Sequence, residues 1–144
     1  MPVRTCRRVS TALAATVLAG VAVACSASTP AARTGGVPPS GASPEDVARV
    51  YLDAAHRGDC QLTAKLTLPH TWRWCEDPKL LRYRAVLKPE HVPASIAGRD
   101  EQCVSFDMYT RGSSDGSLPT GWQPWSLCLI RTSSGWRLYD QGQG

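Results

Sequence analysis

Residues 103–129 read CVSFDMYTRGSSDGSLPTGWQPWSLCL, and their reading decides the fold. Val104, Phe106 and Met108 alternate with polar residues, and so do Trp125, Leu127 and Leu129, which is the period-two pattern of half-buried strands. If Cys103 faces Cys128 on neighbouring antiparallel strands, Val104 meets Leu127, Phe106 meets Trp125, and the chain reverses at Asp115-Gly116. The apolar side chains then share one face, both cysteines share the other, and the reversal sits on turn-favouring residues. Three independent requirements agree on one register.

The pattern extends in both directions. A second hairpin through Ser133-Ser134-Gly135 brings Leu129 opposite Leu138, so Trp136 and Leu138 mark a last strand. Upstream, Leu81, Tyr83, Ala85 and Leu87 form another alternating set, giving four strands in all. Alternation turns Asp107 away from the apolar face and places Asp140 on it. The N-terminal half is helical. Ser43 can cap, Pro44 suits the first helical position, Asp46 completes a capping-box-like spacing, and Val47, Val50, Tyr51 and Ala54 share one face before Gly58. A second short helix starts near Asp59, carries Leu62 and Leu66, and ends before Pro69. Residues 70–78 are aromatic and irregular. The fold class is α+β, with N-terminal helices packed on a curved antiparallel four-stranded meander.

The N-terminus is an address. Arg4, Arg7 and Arg8 precede an uncharged run from Thr11 to Ala24, and Cys25 follows, the order of a cleavable secretory signal over residues 1–24. The run is too short and too rich in Ala and Thr for a membrane span, which needs about 20 apolar residues. Removing the three arginines leaves 13 basic residues against 12 acidic ones, so the net charge of +4 falls to +1 and implies no nucleic-acid partner. Residues 25–43 are rich in Ser, Thr, Ala, Gly and Pro and read as a flexible linker, with a single domain over 44–144.

Outside the signal and Cys25, four cysteines remain: Cys60, Cys75, Cys103 and Cys128. An even number in an exported chain argues for disulfides. The strand register selects Cys103 with Cys128 and leaves Cys60 with Cys75. A metal site from His56, Cys60, His70 and Cys75 matches no common zinc spacing, so no metal and no cofactor are expected.

Two resemblances add to this reading. Ala22-Val23-Ala24-Cys25 resembles the lipobox of bacterial lipoproteins, with Ala22 where the pattern usually has Leu. The resemblance implies a diacylglycerol on Cys25 and residence on the extracytoplasmic face of the cell membrane, where acyl chains contribute about 0.8 kcal/mol per buried methylene. Val50-Tyr51-Leu52-Asp53-Ala54-Ala55-His56-Arg57-Gly58-Asp59, together with the closing Gly135-Trp136-Arg137-Leu138, resembles the NTF2-like, cystatin-like α+β domain of small secreted bacterial lipoproteins. That likeness implies a cone enclosing a pocket, used in different members for catalysis, small-molecule binding or protein contact.

The residues announce no chemistry: there is no Gly-rich phosphate loop, no Ser-centred elbow and no paired-Cys metal motif, so no catalytic residue is assigned. The candidate ligand-binding set is Tyr51, Trp72, Trp74, Trp122 and Asp140, with Trp125 and Trp136 assigned to the core. The expected function is a membrane-anchored, non-catalytic binding module for a small apolar ligand or an envelope protein. The alternatives are a ketosteroid-isomerase-like or cyclase-like proton-transfer enzyme using Asp140 beside Tyr51, and an accessory subunit of an envelope complex.

Overall fold

The computed structural model of the protein describes residues 35–75 and 77–143; residues 1–24, read above as a signal, and Cys25 lie outside the described residues. Helix α1 spans Pro44–Arg57 and α2 spans Cys60–Leu66. Strand β1 is Leu80–Arg84, β2 is Glu90–Val92, a single helical turn α3 is Ala94–Ala97, and the long strands β3, β4 and β5 are Glu101–Arg111, Thr120–Thr132 and Gly135–Gly142. Among these residues no helix is long and apolar enough to cross a membrane.

Helix α1 starts as its sequence dictates. The Ser43 hydroxyl accepts from the Asp46 N–H at 3.1 Å, Asp46 reaches back in a capping box, and Pro44 occupies the first turn. Such a cap contributes about 1 kcal/mol. Gly58, with φ of +71°, closes the helix in the left-handed region, and Asp59 at once caps α2 by accepting from the Leu62 N–H. The two helices therefore turn on a two-residue joint and lie against one another.

The sheet is antiparallel in the order β1-β3-β4-β5, and β2 also pairs with β3. The β3–β4 register runs from Gln102 opposite Leu129 to Arg111 opposite Thr120 and includes Cys103 opposite Cys128, Val104 opposite Leu127 and Phe106 opposite Trp125. Val104, Phe106, Met108, Trp125, Leu127, Leu129 and Leu138 are buried on the inner face beneath Val47, Tyr51, Leu52 and Ala55 of α1. Two disulfides, Cys60–Cys75 and Cys103–Cys128, close the molecule.

Three expectations need correction. The sheet has five strands, because Glu90–Val92 pairs with Glu101–Cys103 although prolines flank it. Pro89 and Pro93 sit just outside the three paired residues, so neither removes a ladder donor. The first strand also stops earlier than its alternation suggests. Ala85 adopts φ of +51°, which breaks the extended chain and leaves Leu87 exposed. Thirdly, the end of the stretch read as linker is part of the domain. The Ala42 N–H donates to the Pro39 carbonyl at 2.9 Å, Ala42 packs on the core, and Ser40 lies over Gly135 so closely that a Cβ there would meet its Cα at 3.0 Å.

Candidate functional site

The five candidate residues do not converge. Tyr51 and Trp74 are buried, Trp72 and Trp122 are 45% and 40% exposed, and Asp140 is exposed. Two of them, Tyr51 and Trp74, fill the interior together with Trp125, and Trp72 covers them from the surface. The Trp74 ring stands edge-on to Trp72 at 5.0 Å and to Trp125 at 5.9 Å. The Trp74 backbone N–H donates to the Tyr51 hydroxyl at 2.8 Å. Gln141 completes the cluster, accepting from the Trp125 indole at 3.3 Å and donating to the Trp72 carbonyl at 2.6 Å. Burial pushes the Tyr51 hydroxyl up to about 12, against the smaller opposing effects of the Trp74 N–H, Gln141 and Thr67. The indole N–H of Trp74 is itself buried with no partner among the described residues. This is a packed core with one polar thread.

Asp140 is not beside Tyr51, and a β-bulge explains why. Leu129 pairs with Leu138 as expected, but Cys128 pairs with Asp140 and Leu127 with Gln141, so Tyr139 is an extra residue on β5. One inserted residue reverses the facing of everything beyond it. Asp140 joins the outer face with the cysteines, and Gln141 takes the inward position the aspartate was expected to hold. Gln141 was missed because nothing local in its sequence signals the bulge.

The outer face carries the exposed chemistry, arranged in rows across the strands. Nearest the β3–β4 turn, Arg82, Tyr109 and Trp122 stand opposite one another, followed by Arg84, Asp107 and Pro124, then Ser105 and Ser126, and finally Glu90, Cys103, Cys128 and Asp140. One end is therefore cationic and aromatic and the other is acidic. Trp122 lies edge-on to Tyr109 at 5.5 Å with the Arg84 guanidinium 4.2 Å above its ring, while Arg84 also pairs with Asp107 at 3.1 Å. Cation–π contact and aromatic contact both bear on an exposed indole. An open groove of about 290 Å³ runs beside it, lined by His56, Arg82, Tyr83 and Trp122. A second open depression, of about 300 Å³, includes Asp77, Lys79 and Arg111.

At the acidic end, Glu101, Cys103 and Cys128 bring donor atoms within 4.8 Å of one another, but both sulfurs are taken by the disulfide. Burial pushes the Glu101 carboxyl up, the Asp140 charge pushes it further, and Arg99 opposes both. A carboxyl raised on folding stabilises the native state below its unfolded value, and that contribution is lost as pH rises through the folded value. Glu101→Gln should therefore be more stable than the parent in urea unfolding at neutral pH, with the gap closing by about pH 4. A gap that stays constant between the two pH values would show that charge on Glu101 is not its cause.

No family model, no curated protein and no solved structure matches the chain.

Proposed function

We propose that the chain is an exported lipoprotein, held on the extracytoplasmic face of the membrane through Cys25, whose NTF2-like domain binds a protein partner without catalysing a reaction. Two helices, α1 and α2, that precede an antiparallel sheet and pack on its inner face support the NTF2-like assignment. The single observation that carries the binding role is Trp122, large, exposed and held by Arg84 and Tyr109 on an outer sheet face. Trp, Tyr and Arg are the side chains that most often dominate protein interfaces, and an indole already fixed in place loses little freedom on contact. A protein partner is favoured over a small apolar ligand because Trp74, Tyr51 and Trp125 fill the interior.

The test uses the full chain in its own membranes. Intact mass should begin at an acylated Cys25. A photoreactive analogue replacing Trp122 should cross-link to one discrete partner, whereas the same analogue replacing Lys65, exposed on α2, should not. A soluble, unacylated product would overturn the anchor. Equal or absent cross-linking from the two positions would overturn the binding face.

A further inference from the structure

We propose that the free edge of β1, next to the open depression at His56, Arg82 and Tyr83, receives an extended, acidic segment of the partner protein, which adds to the sheet as a further strand. This rests on the reading of the domain as a binding module and names the chemistry that the module recognises. Strand β1 ends the order β1-β3-β4-β5, so one of its sides faces β3 and the other carries no strand among the described residues. An open depression of about 290 Å³ at this strand is lined by His56 of α1, by Arg82 and Tyr83 of β1, and by Trp122 of β4, on the far side of β3. An edge strand next to a helix is the setting in which extended peptides dock, with main-chain hydrogen bonds supplying affinity and alternate side chains supplying specificity.

Charge then selects the occupant. Two carboxylates lie at these residues: Asp53 accepts from the Tyr83 hydroxyl at 2.6 Å and keeps its charge, and Asp107 pairs with Arg84. Among the described residues, Arg82 and Arg57 make no ion pair, and His56 and Arg57 form the last turn of α1. Around Tyr83, Arg57, Arg82 and Arg84 stand against Asp53 and Asp107, a surplus of one positive charge. Arg82 and Arg84 are two apart on the outer face, the spacing at which side chains of an added strand repeat on that face. The segment recognised therefore carries acidic residues at positions i and i+2, with an apolar residue between them turned toward Tyr83. Charged side chains on a short edge strand also serve to keep other strands away, and the experiment separates that role from recognition.

The experiment is selection of a random library of peptides, each about eight residues long, on the full-length protein in mild detergent. The expected result is enrichment of an acidic-apolar-acidic triplet, with binding weakened about tenfold by Arg82→Glu and by N-methylation of the peptide backbone. Lys65→Glu should leave binding unchanged. Arg82 is exposed, so its reversal leaves the core intact. No enrichment, or enriched peptides indifferent to both Arg82→Glu and N-methylation, overturns the proposal. Peptides lost on Trp122→Ala but indifferent to N-methylation would overturn strand addition while leaving the binding face standing.

Discussion

Trp74→Ala should lower the unfolding free energy by about 3–5 kcal/mol, the range for deleting a large buried aromatic. Trp74 has no exposed surface and joins the irregular segment to the sheet through its contacts with Trp72 and Trp125. The loss has two parts, transfer of the indole to water and the cavity left between α1 and β4, because strands pinned by ten register pairs between β3 and β4 have little freedom to collapse. One term opposes these. The indole N–H is buried with no partner among the described residues, and removing an unsatisfied donor returns about 1–3 kcal/mol, so the observed value should fall in the lower half of the range. Urea unfolding followed by far-ultraviolet circular dichroism measures it without relying on the tryptophan signal being altered. A loss under about 1 kcal/mol would mean that the interior is wet and open, and would return the small-ligand reading to favour.

Removing Cys60–Cys75 as the double alanine variant should cost about 3 kcal/mol, the chain-entropy value for two cysteines 15 residues apart. Here the location matters as much as the loop length. The residues between the end of α2 and the start of β1 make few backbone hydrogen bonds, among them Leu68 N–H to the Leu138 carbonyl and Thr71 N–H to the Leu68 carbonyl. The disulfide ties Cys75, next to Trp74, to the first residue of α2. Amide exchange should accelerate through residues 67–75 in this variant. The Cys103–Cys128 variant should lose comparable global stability, since its separation of 25 enters only logarithmically, yet leave exchange in β3 and β4 slow because their ladder persists. Acceleration of the ladder instead would show that the cross-strand disulfide, and not the backbone register, sets the pairing.

Much of the fold was legible because its determinants are local or are tied together by covalent chemistry. The capping box at Ser43 and Asp46, the left-handed Gly58 and the cap at Asp59 are read from residues a few positions apart, and each forms as written. The β3–β4 register is long-range, but alternation, the cysteines and the turn at Asp115-Gly116 fixed it jointly, and both disulfides follow from it. The site was less legible. Trp72 and Trp74 are indistinguishable by type and only two residues apart, yet one is exposed and the other fully buried, since the segment bearing them has no period from which facing can be read.

By itself the sequence determined the α+β class, the two helices, the pairing of the long strands and the cysteine partners, because caps, alternation and turn residues act over a few positions. Tertiary structure alone decided which polar side chain entered the core. The bulge at Tyr139 put Gln141 inward and Asp140 outward, where alternation along the strand gives the reverse. The physical reason is that an inserted residue changes facing without changing composition. Its position reflects the strands, the aromatic cluster and the Ser40 backbone over Gly135 all packing at once, and no short stretch of the chain contains that information.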